Sequence, residues 1–210
     1  MSSCLPMKPI RIGITGGIGS GKSIVCHLLE VMGVPVYVAD TETKHLMLAD
    51  ASIRTGLTEL LGPEVYADGV LNKPLLAAYL FAGPEQARRV NGIVHPAVRA
   101  DLRRWVEAAH APFVAFESAI LVEAGFLDEV DVVVMVDAPL ELRIARATLR
   151  DNAPREAVES RVRSQLDDED KRKYAHFTVV NDDKTPLIPQ VFGLISSLSE
   201  NIDYLCPAFL

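Results

Sequence analysis

The chain lacks the cysteine pattern of a small secreted protein or of a structural zinc site. It has three cysteines, Cys4, Cys26 and Cys206, which are widely spaced and form no Cys-x-x-Cys pair. An odd and scattered set of this kind indicates neither a disulfide framework nor zinc ligands. We therefore expect a reduced, cytoplasmic protein that is stabilised by its hydrophobic core.

Long apolar runs and a surplus of positive charge are missing as well. No hydrophobic stretch approaches the roughly 20 residues that span a membrane, and residues 1–10 lack the apolar segment of a signal peptide. The formal net charge of −7 is unfavourable for a nucleic-acid-binding surface. We predict no membrane and no nucleic-acid partner, one sizeable core, and a monomer or a small homo-oligomer.

A glycine-rich segment near the N-terminus is the strongest positive signal. Residues 16–23 read Gly-Gly-Ile-Gly-Ser-Gly-Lys-Ser, which fits the phosphate-binding pattern Gly-x-x-x-x-Gly-Lys-Ser/Thr. An apolar run with Ile10, Ile12 and Ile14 predicts a buried strand before it, and residues 23–32 predict a helix after it. In that context the loop amides wrap a polyphosphate, and the N-terminus of the helix attracts its negative charge.

The residue types in this loop indicate their roles. Lys22 brings a positive charge to the β- and γ-phosphates of a nucleotide, and the Ser23 hydroxyl is a candidate ligand for the Mg²⁺ that bridges them. A dinucleotide fingerprint is excluded, because its third glycine would fall at position 22, which is lysine. The residues predicted to bind the nucleotide here are Gly17, Ile18, Gly19, Ser20, Gly21, Lys22, Ser23 and Ile24.

Apolar runs alternate with helical patterns over much of the chain, which predicts an α/β fold with a parallel sheet and helices on both faces. Residues 50–110 interrupt this alternation: they lack convincing strands and look mostly helical. Asp50 and Asn72 are predicted helix N-caps there, and His95-Pro96 is predicted to start a long helix. We interpret this block as an insertion that carries the second substrate. The further predicted strands are residues 34–38, 113–116, 130–136 and 177–180.

Two predicted helices late in the chain carry arginines. Arg143, Arg146 and Arg150 are spaced so that all three lie on one helix face. The next predicted helix carries Arg161 and Gln165. We interpret these two helices as a lid whose arginines neutralise charge on a transferred phosphoryl group. A solvated basic face is the alternative. The guanine-reading Asn-Lys-x-Asp of a GTPase is absent, and the layout is typical of small-molecule kinases.

Two acidic residues follow predicted strands, where open α/β sheets bind their ligands. Asp40 comes two residues after the strand of residues 34–38, and Glu117 comes directly after residues 113–116. Asp40 is a candidate base for an acceptor hydroxyl, and the alternative is an N-cap of a helix that begins near Thr41. Glu117 is a candidate for the Mg²⁺ site.

In their order and spacing, these motifs resemble the dephospho-CoA kinase family over about residues 10–181. Residues 12–23 resemble its phosphate loop, and Val38-Ala39-Asp40 stands where the family has Asp-Ala-Asp. Because Val38 replaces the first of those acids, any acidic function of that motif falls to Asp40. The other matches are His95-Pro96, Ile120 to Glu123, Arg146 to Asp151 as Arg-x-x-x-Arg-Asp, Arg161 with Gln165 as Arg-x-x-x-Gln, and Lys171, Ala175 and Asn181.

The resemblance implies that ATP phosphorylates the ribose 3′-hydroxyl of dephospho-CoA to give CoA. It implies catalytic roles for Asp40, Lys22 and Arg146, a nucleotide contact for Arg150, and acceptor contacts for Asp40, His95, Arg161 and Gln165. For His95, a helix start without function is the alternative. Another small-molecule kinase with the same core and a non-catalytic nucleotide-binding regulator stay open as alternative functions.

The resemblance also implies the organisation of the chain. We predict a single P-loop kinase domain over residues 1–210, with its core at about 8–49 and 111–210. The helical acceptor-binding insertion is expected at about 50–110, and the arginine-bearing lid at about 146–175.

Overall fold

A five-stranded sheet is the framework of the fold in the computed structural model, which describes residues 8–67 and 69–200. The strands are β1 (Ile10–Thr15), β2 (Val36–Val38), β5 (Phe113–Glu117), β6 (Val132–Asp137) and β7 (Phe177–Val180), in the spatial order β2-β5-β1-β6-β7. β1 pairs in parallel with both β5 and β6, so that Ile12 lies opposite Ala115 and Val132. The predicted α/β class is confirmed.

α-Helices connect consecutive strands of this sheet except between β5 and β6, where the connection contains a short 3₁₀ helix, Phe126–Glu129. Within residues 8–67 and 69–200 the α-helices are α1 (Lys22–Val31), α2 (Ala39–Ala49), α3 (Ala51–Leu61), α4 (Lys73–Phe81), α5 (Pro84–Ala108), α6 (Leu140–Asp151), α7 (Arg155–Arg163), α8 (Asp168–Arg172) and α9 (Leu187–Glu200). α9 matches the helix predicted from residue 186, whose expected last residues lie outside the described ranges, as do Cys4 and Cys206. No helix in the described ranges is long and apolar enough to cross a membrane.

The chain forms two compact units. One, the sheet unit, comprises the residues up to Val36 and from His110 onward, and the other, the helical unit, comprises Tyr37–Ala109. The helical unit begins earlier than the boundary expected near residue 50, because α2 contacts α3 and α5. β2 spans the division between the two units.

The core of the sheet unit lies between the sheet and helices α1 and α9. Side chains from the central strands β1 and β6 pack there against apolar side chains of the two helices. The buried residues are Ile10, Ile12, Ile14, Val132, Val134 and Val136 on the strands and Val25, Leu29, Val191, Leu194 and Leu198 on the helices. This packing holds the carboxyl end of β1 and the start of α1, which are the two ends of the glycine-rich loop.

The helix that we expected to start at His95-Pro96 begins earlier, so that prediction is wrong. α5 runs unbroken from Pro84 to Ala108 with Pro96 inside it. Its stripe of Val90, Val94, Val98 and Leu102 is buried on both sides of the proline. Burying four such side chains contributes about 1.5–3 kcal/mol each. That exceeds the roughly 3 kcal/mol that an interior proline costs a helix.

The helical unit also contains a short hairpin, although we expected no convincing strand there. β3 (Tyr66–Ala67) pairs with β4 (Val70–Leu71) in antiparallel fashion. Each strand has two residues, which is too short for an alternating pattern to be read from the sequence. The expected caps are confirmed: the Asp50 carboxylate accepts hydrogen bonds at the start of α3, and the Asn72 side chain accepts one at the start of α4.

Replacement of Asp50 by alanine should destabilise the helical unit. The Asp50 carboxylate accepts the N–H groups of Ser52 at 2.9 Å and Ile53 at 3.0 Å, and loss of an N-cap costs about 1 kcal/mol. Urea unfolding at pH 7 should show that loss for Asp50→Ala. The control Asp50→Asn keeps a side-chain oxygen, so an equal loss in the two variants would contradict the cap.

The stabilisation by Asp50 should also depend on pH. A hydrogen bond from the Ser52 side chain, followed by the one from the Ile53 N–H, lowers the pKa of Asp50. Because the folded-state pKa is the lower one, the contribution is present above the unfolded pKa of about 4 and is lost as the pH falls through the folded value. Unfolding curves across that acidic range should therefore converge for wild type and Asp50→Ala.

Candidate active site

The loop between β1 and α1 packs closely against two other parts of the sheet unit. A Cβ atom added to Gly19 would lie 2.1 Å from the carbonyl oxygen of Arg143, and one added to Gly21 would lie 2.0 Å from Nδ2 of Asn181. Gly19 also has a φ of +77°, which favours glycine. The glycines at these two positions are therefore required by contacts with distant residues as well as by the turn.

Several backbone N–H groups of this loop have no protein partner. Within residues 8–67 and 69–200, this holds for Gly19, Gly21, Lys22 and Ser23. The N–H of Ser20 donates to the Gly17 carbonyl at 3.1 Å. Open N–H groups that precede and begin a helix form an anion-binding site, because they carry the positive end of the helix dipole. The loop can thus accept a phosphate group without breaking an existing hydrogen bond of these four amides.

Lys22 lies beside these amides. Its Nζ donates to the carbonyl oxygens of Gly16 at 3.0 Å and Gly17 at 3.3 Å, and a carboxylate oxygen of Glu117 lies 3.9 Å away. Burial lowers the pKa of Lys22, and the nearby charge of Glu117 opposes that shift. The ammonium is therefore only partly compensated, so a phosphate near the loop would find an attractive charge.

The oxygen donors near the loop fit a magnesium ion. Ser23 contributes an exposed hydroxyl at the start of α1, and Glu117 contributes a carboxylate at the end of β5. The described residues contain no cluster of three or more His, Cys, Asp or Glu side chains that could hold a metal. Mg²⁺ at nucleotide sites is commonly held by one or two protein oxygens together with substrate phosphates. Ser23 and Glu117 match that requirement.

The lid arginines that we predicted are paired with carboxylates. Arg146 forms an ion pair with Asp183. Arg150 and Arg161 both pair with Asp151, at 2.8 and 2.6 Å. Hydrogen bonds from Arg150 and then Arg161 hold the pKa of Asp151 well below its usual range. Two guanidinium groups on one carboxylate leave a net positive charge, which suits a phosphate better than a neutral pair would.

Arg143 does not share the environment of the other arginines, although their spacing predicted one common face. Its side chain is only 4% exposed and pairs with Asp168 at 2.7 Å. A Cβ atom on Gly17 would lie 1.4 Å from Nη1 of Arg143. Arg143 therefore packs beneath the loop, because the loop approaches α6 at this point, whereas Arg146 and Arg150 of the same helix are more exposed.

Gln165 connects the segment after α7 to the loop. We expected it on a helix, but α7 ends at Arg163 and the Ser164 hydroxyl donates to the Arg161 carbonyl. Oε1 of Gln165 accepts the N–H of Ile18 at 3.1 Å. In this structure the Ile18 amide is thus bonded to Gln165, while the predicted role of Gln165 in acceptor binding stays a prediction.

The segment that follows Gln165 is held by a buried lysine. Lys171 is fully buried; its Nζ lies 3.0 Å from a carboxylate oxygen of Glu123 and donates to the Ala119 carbonyl at 2.9 Å. The same Glu123 oxygen accepts the N–H of Leu166 at 2.9 Å. Buried charges of this kind are tolerated only when they are paired, so this contact holds the segment in place.

In the helical unit, Asp40 is the second residue of α2. The chain passes from β2 straight into this helix, whose N-cap is Val38, so the prediction that Asp40 caps a helix at Thr41 is wrong. Its carboxylate is 77% exposed and lies 2.5 Å from the Nζ of Lys44. An exposed pair of this spacing contributes only about 0.3–0.5 kcal/mol. The Asp40 carboxylate is therefore available for chemistry at small cost.

His95, the other predicted acceptor contact, lies in the middle of α5 and is half-buried. Burial, followed by the charge of Arg99, lowers the pKa of His95, so the neutral imidazole is favoured. Because His95 does not start a helix, the alternative that it serves only as a helix start is excluded. Its proposed contact with the acceptor stays a prediction.

Some residues around the loop were not predicted from sequence patterns, which assigned no role to Asn181 and missed the loop contacts of Arg143 and Asp168. For Asn181 a signal was present, since this polar residue directly follows the predicted strand of residues 177–180. The position after a strand had also selected Asp40 and Glu117. No comparable signal marks Arg143, because its burial depends on how closely the loop approaches α6.

A phosphate loop between the first strand and helix of a parallel sheet, with partly exposed arginines on a later helix, defines a P-loop kinase of small molecules. The family model described as dephospho-CoA kinase matches residues 10–186, and the chain belongs to this family.

Relatives of known family match this chain over nearly its whole length. Dephospho-CoA kinase of Bacteroides fragilis is 54% identical over 200 residues, covering 95% of this chain and 98% of the relative. That of Porphyromonas gingivalis is 40% identical, covering 90% and 94%. The solved structure of TT1252 from Thermus thermophilus has a TM-score of 0.79 at 35% identity, covering 92% and 98%. A shikimate kinase from Acinetobacter baumannii, at 20% identity and a TM-score of 0.52 with coverage of 92% and 94%, shares the fold.

Replacement of Gly19 by alanine should weaken nucleotide binding. Its new methyl group would collide with the backbone of Arg143 and would push the loop out of place. Gly33→Ala is a matched control: Gly33 also has a positive φ, of +84°, but nothing lies within 4 Å of an added Cβ. Both variants should lose about 1–2 kcal/mol of stability from backbone strain. Calorimetric titration with MgADP should show a Kd raised about tenfold or more for Gly19→Ala only. Equal affinity in the two variants would contradict the proposed fit.

Proposed function

We propose that this protein transfers the γ-phosphoryl group of ATP to the ribose 3′-hydroxyl of dephospho-CoA, which gives CoA and ADP. Membership of a family of ATP-dependent kinases that catalyse the last step of CoA biosynthesis supports this reaction. The observation in the structure that carries the proposal is the loop with four open N–H groups beside Lys22. The cytoplasmic location and the monomeric or small oligomeric state stay predictions from the sequence.

The sheet unit supplies the donor site. The open amides and the Lys22 ammonium hold the phosphates of ATP, and the positions of these dipoles are fixed before the nucleotide binds. When bound, Mg²⁺ supplies positive charge that offsets the negative charge of the phosphates, and Ser23 and Glu117 would hold it. These groups stabilise the charge that develops as the phosphoryl group leaves ADP.

The acceptor needs a group that takes or orients the proton of its hydroxyl. Asp40 is our candidate, because its carboxylate is exposed and its ion pair with Lys44 is a weak surface pair. A positioned base of this kind contributes typically about 10²–10⁴-fold to the rate. His95, Arg161 and Gln165 are proposed contacts of the acceptor, as the family resemblance implies.

Arg146 is the candidate for stabilising the transferred group. Its side chain is 25% exposed, and its acidic partner Asp183 is 63% exposed, so solvent screens the pair. Exchanging such a partner for a phosphoryl oxygen costs at most about 1 kcal/mol. Arg150, which shares Asp151 with Arg161, is proposed to contact the nucleotide by the same exchange.

The direct test is incubation with ATP, Mg²⁺ and dephospho-CoA, followed by determination of the mass and phosphate position of the product. We expect a product phosphorylated at the 3′ position. Shikimate serves as the alternative acceptor, because shikimate kinase shares the fold. Phosphorylation of another acceptor in the absence of any 3′-phosphorylated product would overturn the proposal.

Asp40→Asn should separate chemistry from stability. It removes the carboxylate and weakens the pair with Lys44, so turnover should fall about 10²-fold or more while the fold and ATP affinity survive. Lys44→Ala breaks the same ion pair but leaves the carboxylate in place. Steady-state assays should therefore find near-normal kcat for Lys44→Ala. A similar loss of kcat in both variants would assign the effect to the ion pair rather than to a base.

Arg146→Ala should lower kcat more than it raises the KM for dephospho-CoA. The reason is that its charge matters most once the γ-phosphoryl group is in transfer, and the expected loss is about 10²-fold or more. Asp183→Ala removes the same surface ion pair without removing the guanidinium. If Arg146→Ala changes only the melting temperature, as a structural pair would, its catalytic role is refuted.

A further inference from the structure

Asn181 occupies a protected position directly after β7. It is 5% exposed, and its N–H donates to the Asp137 carbonyl at 2.8 Å, which extends the pairing of β6 with β7 by one residue. The position of its backbone is therefore set by the sheet. A side chain that starts from a rigid strand end can locate its partners accurately.

The polar groups of Asn181 contact two parts of the proposed active site. Its Nδ2 donates to the carbonyl oxygen of Ser20 in the phosphate loop at 2.8 Å. Arg146 donates from Nη1 to the backbone carbonyl of Asn181 at 3.1 Å and from Nη2 to its Oδ1 at 3.4 Å. One residue thus binds the loop on one side and the guanidinium on the other.

The bond to Ser20 determines the direction of a phosphate-binding amide. The carbonyl of Ser20 and the N–H of Gly21 belong to the same planar peptide group and point in opposite directions. Holding the carbonyl toward Asn181 therefore directs the N–H of Gly21 away from Asn181. That N–H is one of the four without a protein partner in the described part of the chain.

The chemistry of the contact requires an amide. An aspartate of the same shape would oppose a carboxylate oxygen to the Ser20 carbonyl, and a leucine would have neither a donor nor an acceptor. The close approach also requires Gly21, since an added Cβ atom would lie 2.0 Å from Nδ2 of Asn181. The donor and the glycine therefore form a matched pair.

We propose that Asn181 is a positioning residue that orients the Gly21 amide for phosphate binding and holds Arg146 beside the loop. This inference rests on the proposed function for the role of Arg146, whereas its effect on nucleotide binding is independent of the acceptor. Asn181 acts through the loop and the arginine and needs no contact with substrate.

Two variants of Asn181 and a neighbouring control test the proposal. Asn181→Asp keeps the shape and the acceptor for Arg146 but removes the donor to Ser20, whereas Asn181→Leu removes both groups. Asp182→Ala is the control, because its carboxylate accepts hydrogen bonds within the turn, among them those from the N–H groups of Lys184 and Thr185. It perturbs the same segment without touching the loop.

Calorimetry should give a Kd for MgADP that is about tenfold or more above wild type in both Asn181 variants and unchanged in Asp182→Ala. The kcat should fall further in Asn181→Leu than in Asn181→Asp, because only the first also loses the side-chain acceptor for Arg146. If the Asn181 variants have a lower melting temperature but keep the wild-type Kd for MgADP, the role of Asn181 is purely structural and the proposal is overturned.

Asn181→Asp keeps the test decisive even if Asn181→Leu does not fold, because it is close to the wild type in shape and lacks only the donor to Ser20. A wild-type Kd for MgADP in this variant would contradict the proposal. If wild type fails to phosphorylate dephospho-CoA while the Asn181 variants still lose MgADP affinity, the proposed function is wrong and the orienting role stands.

Discussion

Four backbone N–H groups of the phosphate loop, those of Gly19, Gly21, Lys22 and Ser23, have no protein partner within residues 8–67 and 69–200. A chain normally pairs its amides, so a loop that leaves four of them open needs support from elsewhere. The support comes through the neighbouring peptide groups. Asn181 binds the Ser20 carbonyl, Gln165 binds the Ile18 amide, and the backbone of Arg143 packs against Gly19. Three separate parts of the sheet unit thus hold the loop.

The positively charged side chains near the loop are also held by contacts with other parts of the protein. Lys22 rests on loop carbonyls with Glu117 nearby, and Arg146 is paired with a well-exposed carboxylate. Such partners keep the cations in place, and the exposed partner of Arg146 binds weakly enough to be exchanged for a phosphate oxygen. Arg143 is the contrast, since its own side chain is buried and is suited to holding the loop rather than to binding substrate.

Local signals predicted the elements that depend on a few neighbouring residues. The caps at Asp50 and Asn72 are confirmed, because an N-cap needs only one side chain and the next three amides. The same kind of reasoning was wrong for Pro96, where the burial of a whole helical stripe outweighs one lost hydrogen bond. It was also wrong for Asp40 as a cap, because the chain enters α2 directly from β2 without a separate turn.

The α/β class, the phosphate loop and the family could all be predicted from the order of residues. These features follow from short residue spacings and from the alternation of apolar runs. Both are patterns among residues that lie close together in the chain. Folding was needed to place Arg143 beneath the loop while Arg146 stays partly exposed, although both lie on α6. It likewise joined Asn181 to Ser20, which are 161 residues apart. Contacts over such separations follow from how strands and helices pack, and no local pattern in the chain records them.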